Sequence, residues 1–388
     1  MRIYLDHNAT TPVEPTVADA IADALRNCFG NASSVHAFGQ TAKAALDEAR
    51  GRVATLVGGE PSEIVFTSGG TESDNLAIRG VMEVAPSGRR HLIASAIEHE
   101  AVLNTLKALL VRGCTSTLLP VDASGVVDPA SLRDALTPET ALVSVMHVNN
   151  EIGTIQPIAE LARLAHEQGA LFHTDAVQSA GKLALDAPAL GVDLLSLSAH
   201  KFNGPKGVGA LWIRRGSRVV AAMTGGRQER NRRAGTENVP AVVGLGVAAR
   251  IATAQLDSEA ARIGSLRDRL ERGVLSRVQG TAVNGAPNLR APTTSNISFD
   301  GVEAEALLIA LDLEGIAVST GSACSSGRLE PSHVLKAMGL APHRAQNSIR
   351  FSLGLENTRD DIDRVLDVLP PVVEKLRTLA RSGARARA

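Results

Sequence analysis

The sequence is poor in cysteine and in aromatic residues. Its 388 residues include three cysteines, one tryptophan, one tyrosine and seven phenylalanines. The cysteines, at positions 28, 114 and 324, lie far apart and form no Cys-x-x-Cys pair. This spacing excludes a disulfide framework and a zinc site made of cysteines. The formal net charge is −1, so the charge balance gives no case for nucleic acid or an anionic membrane as the main partner.

Long apolar runs are missing as well. No stretch approaches about 18 uninterrupted apolar residues, and the first residues lack the apolar region of a secretory signal. We therefore expect a soluble, cytoplasmic protein. A chain of 388 residues is too long for one simple core. Because the pattern of elements changes near residue 255, we predict a large domain at residues 15–255 and a small domain at residues 1–14 and 256–388.

Strand-like and helical segments alternate from about residue 60 to residue 214. The predicted strands are Glu63–Thr67, His91–Ser95, Thr115–Leu119, Ala141–His147, Ala170–Thr174, Asp193–Leu197 and Gly209–Arg214. The predicted helices between them are Thr71–Ala85, Glu98–Arg112, Pro129–Leu136 and Ile158–Gln168. This alternation predicts an α/β fold with a mainly parallel, mixed seven-stranded sheet and helices on both faces. The short Gly/Pro loop before the last strand leaves room for one antiparallel strand.

The second part of the chain has shorter and more varied elements, which predict a smaller α+β domain. Its predicted helices are Ser258–Arg277, Glu303–Leu313, Pro331–Met338 and Arg359–Leu379, the last followed by a polar tail. Its predicted strands are Thr294–Phe299, Ala317–Thr320 and Ser348–Ser352.

Polar residues follow several predicted strands of the large domain. The carboxyl ends of parallel strands meet at one edge of a sheet, where ligands bind. After the first strand, the turn Ser68-Gly-Gly-Thr71 opens a helix. Its free backbone N–H groups suit a phosphate, and an ordinary tight turn is the alternative.

Lys201 and Asp175 are the other informative residues at these ends. Lys201 follows a buried strand, with His200 beside it. Burial lowers the pKa of a lysine and makes its amine nucleophilic, and a solvent-facing strand cap is the alternative. A buried aspartate such as Asp175 needs a cationic partner. A phosphate turn, a reactive lysine and an aspartate for a ring nitrogen together indicate a pyridoxal 5′-phosphate site.

Cys324 lies in the Gly- and Ser-rich segment Ser319-Thr-Gly-Ser-Ala-Cys-Ser-Ser-Gly-Arg328. Glycines on both sides of it predict an exposed and mobile loop. Most free cysteines act as small buried apolar residues, and we interpret Cys28 and Cys114 in that way. A cysteine on an exposed loop is instead a candidate nucleophile.

Seven segments spread along nearly the whole chain match a known family. They are Tyr4–Pro12, Phe66–Asn75, His147–Gly153, Asp175–Gln178, Ser198–Lys201, Arg233–Val239 and Gly321–Ser325. In these segments the chain resembles the NifS/IscS-type cysteine desulfurases, pyridoxal-phosphate enzymes of the aspartate-aminotransferase fold type, and specifically the branch with a long cysteine loop. The resemblance implies a homodimer that converts L-cysteine to L-alanine. The sulfur would pass from a persulfide on Cys324 to an acceptor, such as an IscU/NifU-like scaffold for iron–sulfur cluster assembly.

The resemblance also implies roles for the residues around the cofactor. Lys201 would bind pyridoxal phosphate covalently and move the substrate Cα proton, while His99 would stack on the ring and assist proton transfer. Asp175 would pair with the ring nitrogen and Gln178 with the ring hydroxyl. Thr236 would reach the phosphate of the other subunit. The remaining phosphate ligands would be Gly70, Thr71, Ser198 and His200.

The resemblance places the substrate at Asn150 and Arg350. Both would hold the substrate carboxylate, and the planar guanidinium of Arg350 suits a carboxylate because it can donate two parallel hydrogen bonds. Asn150 would also contact the cofactor. Cys324, as a thiolate, would attack the substrate sulfur. On this interpretation the large domain binds the cofactor and the small domain carries the cysteine loop.

Two alternatives stay open at this stage. Another enzyme of the same fold type, such as a selenocysteine lyase or an aminotransferase, would need Lys201 and Asp175 but not Cys324. A metal-binding or scaffold protein would instead use histidines: His99, His147, His173 and His200. The pathway served (nitrogenase clusters, general iron–sulfur assembly or tRNA thiolation) depends on an acceptor surface that no motif names.

Overall fold

A seven-stranded sheet forms the centre of the fold. The computed structural model describes residues 2–321 and 331–387. Its strands are β1 (Ile3–Tyr4), β2 (Ile64–Thr67), β3 (His91–Ser95), β4 (Thr115–Leu119), β5 (Thr140–Ser144), β6 (Leu171–Asp175), β7 (Leu194–Ser198), β8 (Gly209–Ile213), β9 (Thr281–Asn284), β10 (Thr294–Phe299), β11 (Ile316–Ala317) and β12 (Ser348–Ser352). The large sheet has the order β2-β8-β7-β6-β5-β3-β4, in which β8 runs antiparallel to both neighbours. The predicted mixed, mainly parallel sheet is therefore confirmed.

Helices cover both faces of this sheet. They are α1 (Pro15–Asn27), α2 (Ala37–Leu56), α3 (Gly70–Val84), α4 (Glu100–Leu110), α5 (Pro129–Ala135), α6 (Ile158–Glu167), α7 (Ala187–Leu190), α8 (Gln228–Asn231), α9 (Val239–Arg277), α10 (Ala304–Leu313), α11 (His333–Ala337), α12 (Pro342–Gln346) and α13 (Arg359–Arg387). Successive strand residues point to opposite faces. Leu195 therefore packs in the core with α2, α6 and α9, whereas Leu194 packs in the core with α3 and α4.

The C-terminal part has a core of its own, to which the N-terminus contributes. Strands β12, β10 and β9 form an antiparallel sheet, and β1 pairs in parallel with β11. Ile3 and Leu5 are buried there with residues of α9, α10 and α13. The domain boundaries at residues 14/15 and 255/256 stay a prediction, and the single helix α9 runs across the second of them.

The helix α9 is much longer than predicted. It begins at Val239, where the side chain of Asn238 accepts a hydrogen bond from the backbone of Ala241, and not at residue 258. Its first half is apolar on all sides and so has no helical hydrophobic period to detect. By length and composition this helix could span a membrane, but half of its most apolar window is buried in the fold. A Cβ on Gly246 would lie 2.6 Å from the Cα of Ala49, so α9 and α2 pack closely.

The sequence analysis also missed or misplaced other elements. Helices α1 and α2 precede the alternating region and were not predicted, and neither was β9. The last helix continues to Arg387, where we expected a polar tail from residue 381. Alanine and arginine fill that end of the chain, and both are among the best helix formers, so the helix continues without an apolar face to signal it.

Candidate active site

Lys201 lies in a short 3₁₀ turn directly after β7. Its Nζ donates hydrogen bonds to the backbone carbonyls of Asn8, at 2.6 Å, and Ala9, at 2.9 Å. Burial lowers the pKa of Lys201 to about 8, with Arg350 adding to the shift and Asp175 opposing it. A substantial fraction of this amine is therefore neutral near pH 7 to 8 and available as a nucleophile or base.

Asp175 is the last residue of β6. In the sheet, β8 and β7 lie between β6 and β2, the strand that the glycine turn follows. Its Oδ1 accepts a hydrogen bond from the backbone N–H of Val177 at 2.9 Å. Burial raises the pKa of Asp175, against the influence of that hydrogen bond and of His99 and Lys201. A cation placed beside the carboxylate would offset the cost of its burial.

The glycine turn lies against the end of β7. Gly69 has a φ of 152°, a conformation that favours glycine, and Gly70 begins α3. A Cβ on Gly69 would lie 3.7 Å from Ser198 Oγ, and one on Gly70 would lie 2.8 Å from Val177 Cγ2. The structure thus brings Gly70 and Ser198 together, and Thr71 follows in the first turn of α3. The free N–H groups of that turn suit an anion.

His200 and His99 occupy different surroundings. His200 Nδ1 pairs with Thr10 Oγ1 at 3.1 Å, and burial, with Lys201 nearby, lowers the pKa of His200 to about 4. It is therefore neutral at physiological pH. His99 caps α4, where its Nδ1 accepts a hydrogen bond from the backbone of Ala101 at 3.1 Å. Its proton then belongs on Nε2, which makes that nitrogen a donor.

Thr236 lines a pocket of about 230 Å³ together with Ser68 and Arg233. Glu72 links these segments, because its carboxylate accepts a hydrogen bond from the backbone of Ser68 at 2.7 Å and pairs with Arg233 at 2.8 Å. Thr236 thus lies near the glycine turn of its own chain. Its contribution to the site of a second subunit stays a prediction.

The segment that leads to Thr236 contains a left-handed turn. Glu229, Arg230 and Asn231 have φ angles of 44°, 58° and 63°, which cost roughly 1–2 kcal/mol per residue. The buried carboxylate of Glu229 secures this turn through two 2.7 Å contacts with Arg50. It also accepts a hydrogen bond from the backbone of Phe66 at 2.9 Å. The strained turn is therefore fixed to the strand that precedes the glycine turn.

Arg350 contacts the backbone of Asn150, and the shared role of these two residues at the substrate carboxylate stays a prediction. The guanidinium of Arg350, on β12, donates to the backbone carbonyl of Asn150 at 2.9 Å and to Asp6 Oδ1 at 2.6 Å. Its Nε is buried and has no hydrogen-bond partner among the residues that the structure describes. An unpaired buried donor of this kind is costly unless a ligand accepts from it.

Asn8 is one of the residues of this site that the sequence analysis missed. Its carbonyl accepts from Lys201 and, at 2.9 Å, from Gln178 Nε2. Its side chain donates to the carbonyl of Asn150 at 3.1 Å. The segment Tyr4–Pro12, which contains Asn8, was noted in the sequence. No sequence pattern indicated that Asn8 bonds both to Lys201 and to the Asn150 carbonyl that Arg350 contacts. Lys182 was also missed, and its Nζ lies 2.8 Å from Gln178 Oε1.

Cys324 lies outside the described residues, but the residues on both sides of its segment are placed. A Cβ on Gly321 would lie 3.0 Å from Glu151 Oε2. At the other end, Ser332 Oγ donates to Glu151 Oε2. Glu151 follows Asn150 directly, so Gly321 and Ser332, which lie on either side of residues 322–330, are beside the contact of Arg350.

The histidines of the metal-binding alternative have other surroundings. Over residues 2–321 and 331–387, no group of three or more His, Cys, Asp or Glu side chains is arranged to hold a metal ion. His173 lies between Ser144 and Ser196, with ring contacts of 2.8 and 2.9 Å. Burial lowers the pKa of His173 to about 3, which keeps it neutral.

Comparisons with known proteins identify the family. The family model described as Aminotransferase class-V matches residues 3–365. The chain belongs to the class-V aminotransferases. A cysteine desulfurase IscS of Dictyoglomus turgidum is 50% identical over 378 residues, covering 97% of this chain and 96% of that protein. A cysteine desulfurase of Sinorhizobium fredii is 51% identical over 377 residues, covering 97% of each. A solved NifS-like protein, 38% identical, superposes with a TM-score of 0.91 over 97% of this chain and 100% of its own.

Class-V aminotransferases depend on pyridoxal phosphate. This chain has the same fold as the NifS-like structures, which is fold type I of the pyridoxal-phosphate enzymes. The residues of this chain fit that cofactor. The amine of Lys201 has a lowered pKa, and buried Asp175 needs a cationic partner, which a protonated ring nitrogen supplies. The first turn of α3 offers N–H donors beside Ser198 for the phosphate. These are the features expected of a pyridoxal-phosphate site.

Proposed function

We propose that this protein is a cysteine desulfurase that converts L-cysteine to L-alanine and leaves the sulfur as a persulfide on Cys324. The observation that carries the proposal is the meeting of Lys201 and Arg350 through Asn8 and Asn150. An amine of lowered pKa therefore lies near an arginine whose buried Nε has no partner among the described residues. Gly321 and Ser332, on either side of the segment that contains Cys324, lie against Glu151, the neighbour of Asn150. Relatives that are named cysteine desulfurases and are 50% and 51% identical in sequence to this chain support the same activity.

The residues of the large domain hold the cofactor and move protons. Pyridoxal phosphate, when bound, supplies a ring that accepts negative charge from the substrate Cα. Lys201 Nζ would hold it covalently in the resting enzyme, and, once the amine of the substrate has displaced Nζ from the cofactor, the freed amine would take the Cα proton. Asp175 pairs with the ring nitrogen, Gln178 donates to the ring hydroxyl, and His99 stacks on the ring and assists proton transfer. The phosphate is bound by Gly70, Thr71, Ser198, His200 and Thr236, the last from the other subunit.

Asn150 and Arg350 bind the substrate carboxylate. The two terminal nitrogens of Arg350 donate to the Asn150 carbonyl and to Asp6, which holds the guanidinium in place. The orphan Nε, together with the second N–H of a terminal nitrogen, is then left to donate to the substrate carboxylate. The side chain of Asn150 contacts both cofactor and substrate.

Cys324 performs the sulfur transfer. Its thiolate attacks the sulfur of the bound cysteine, so that an S–S bond forms and the Cβ–S bond breaks. The electron pair of the broken bond stays with the substrate carbon, which takes up a proton and leaves as L-alanine. No external oxidant or reductant is required, because the sulfur is passed as a neutral atom from one thiolate to another.

The sulfur acceptor, subunit arrangement and location follow from the same proposal. The enzyme is a cytoplasmic homodimer in which Thr236 completes the neighbouring phosphate site. The persulfide passes its sulfur to an acceptor protein, such as an IscU/NifU-like scaffold for iron–sulfur cluster assembly or a thiolation enzyme. The residues of the small domain, 1–14 and 256–388, carry the cysteine loop.

The test is the variant Cys324→Ala. It should retain the visible absorbance of the bound cofactor and lose sulfide and alanine formation from L-cysteine. Borohydride reduction should fix the pyridoxyl group on Lys201, which peptide mapping can locate. Unchanged sulfide release by Cys324→Ala would favour an aminotransferase or selenocysteine lyase instead, since neither needs this thiol. A pyridoxyl group that still forms in Lys201→Ala would contradict the lysine assignment.

A further inference from the structure

Lys182 is a buried lysine that the proposed reaction does not use. It is 8% exposed, and among the described residues no carboxylate pairs with it. Its Nζ instead donates to Gln178 Oε1 at 2.8 Å and to Asn8 Oδ1 at 3.3 Å. A buried ammonium satisfied by neutral oxygens alone is expensive. Asn8 links Lys182 to Lys201, because its side-chain oxygen accepts from Lys182 and its backbone carbonyl accepts from Lys201. A role in orienting groups near Lys201 would explain why this charge is buried.

The contact between Lys182 and Gln178 fixes the orientation of an amide. An ammonium has three donors and no acceptor, so it can contact the oxygen of Gln178 but not its nitrogen. Gln178 Nε2 must then face the other way, where it donates to the Asn8 carbonyl at 2.9 Å. Turning the amide over would set two donors against each other at Lys182 and two acceptors at Asn8. Both contacts therefore oppose the turned amide.

The shared carbonyl of Asn8 connects this amide to the reactive amine. Lys201 Nζ and Gln178 Nε2 both donate to that oxygen. The donor face of Gln178 is thus presented at the position of Lys201. Burial lowers the pKa of Lys182 to about 7, with positive Lys201 and Arg350 contributing. Below about pH 7 the ammonium form of Lys182 prevails, and this is the form that opposes the turned amide.

We propose that Lys182 is a positioning residue that aims the Nε2 donor of Gln178 at the phenolic oxygen of the cofactor. This inference rests on the proposed function, because it assumes that Gln178 contacts the ring hydroxyl. Lys182 itself touches neither cofactor nor substrate. It acts through Gln178 by removing the alternative orientation of the amide.

The test uses two ligands that differ in the phenolic oxygen. Cofactor-free protein is titrated with pyridoxal 5′-phosphate and with its 3-deoxy analogue, and both dissociation constants are measured by absorbance. Lys182→Met removes the donor and keeps the length of the side chain. It should weaken pyridoxal phosphate about tenfold, the value of one positioned hydrogen bond, and leave the analogue within about twofold. The control Lys206→Met removes an exposed charge in the same region and should change neither constant.

Two further variants separate positioning from simple stability. Gln178→Met should show the same loss of discrimination, and the double variant should lose no more than either single variant. Lys182→Gln, which can turn either its oxygen or its nitrogen to Gln178, should fall between Lys182→Met and the natural protein. It serves in place of Lys182→Met if that variant does not fold.

Equal weakening of both ligands would mean that Lys182 only supports the fold, and an undiminished effect in the Gln178→Met background would mean that its charge acts directly. Either result overturns the inference. Sulfide release is not part of these measurements. If the natural protein discriminates between the two ligands in the predicted way but releases no sulfide, the role of Lys182 stands and the proposed function is wrong. If the protein releases sulfide but Lys182→Met does not change the discrimination, the proposed function stands and the role of Lys182 is wrong.

Discussion

Replacing Arg350 by lysine tests the substrate site most directly. The guanidinium of Arg350 uses two of its nitrogens on Asn150 and Asp6, and its buried Nε has no partner among the described residues. Lysine keeps the charge and can keep the contact with Asp6, but it offers no two-donor edge. The change therefore removes the carboxylate contact with little effect on the charge balance of the site.

The expected loss can be worked from that geometry. A hydrogen bond to a charged group contributes about 1.5–3 kcal/mol, and each 1.4 kcal/mol is about a factor of ten. Arg350→Lys should thus lower kcat/KM for L-cysteine by about 10- to 100-fold. The charge of the carboxylate does not change during the reaction, so the contact is equally strong in ground state and transition state. The loss should appear mainly in KM.

The assay compares L-cysteine with cysteamine, which lacks the carboxylate. The natural enzyme should prefer L-cysteine, and Arg350→Lys should lose most of that preference while its activity toward cysteamine stays nearly constant. Arg269→Lys, which alters a half-exposed ion pair with Asp363, is the control and should leave both substrates unaffected. An equal loss for both substrates would refute the reasoning, because it would mean that Arg350 acts only by holding Asp6 and Asn150.

Three other predictions concern pH and stability. Because the pKa of Lys201 is lowered to about 8, the rate at which cofactor-free protein takes up pyridoxal phosphate should rise with pH and level off above about pH 8; a rate still rising between about pH 9 and 10 would contradict this. Glu229→Gln leaves the buried Arg50 uncompensated and should cost about 3–5 kcal/mol, seen as a lower thermal midpoint, whereas Glu167→Gln in an exposed pair should cost less than about 1 kcal/mol. Burial raises the pKa of Glu98 from 4.5 to about 8. Between these two pH values the folded protein keeps a proton on Glu98 that the unfolded chain releases, so the free energy of unfolding falls as the pH rises from 4.5 toward 8. Glu98→Gln should remove that fall, and a thermal midpoint below that of the natural protein at about pH 9 would contradict it.

The large sheet could be predicted because its information is local. Each strand is a short apolar run with turn residues on both sides, and parallel strands bring their ends together wherever they lie in the sequence. The strand that carries Asp175 and the turn that carries Lys201 were located in this way. The closeness of Gly70 to Ser198 follows from the same rule.

The residues that join the two parts of the site could not be predicted, because their contacts are long-range. Asn8 lies 193 positions from Lys201 and 142 from Asn150, and no periodicity relates such residues. Lys182 was overlooked for a different reason. A lysine in the sequence indicates an exposed residue, and only the fold reveals that this one is buried beside Gln178. The apolar half of α9 was hidden because it lacks a polar face.

These long-range contacts explain how the site can remain assembled while Lys201 changes partners. Lys201 and Gln178 both donate to the Asn8 carbonyl. If Lys201 leaves this carbonyl to act as proposed above, the hydrogen bond from Gln178 to the carbonyl is still available. The side chain of Asn8 still donates to Asn150 and to Thr294. The N-terminal segment therefore keeps three hydrogen bonds of Asn8 that do not involve Lys201, and we expect these bonds to hold the segment beside the contact of Arg350.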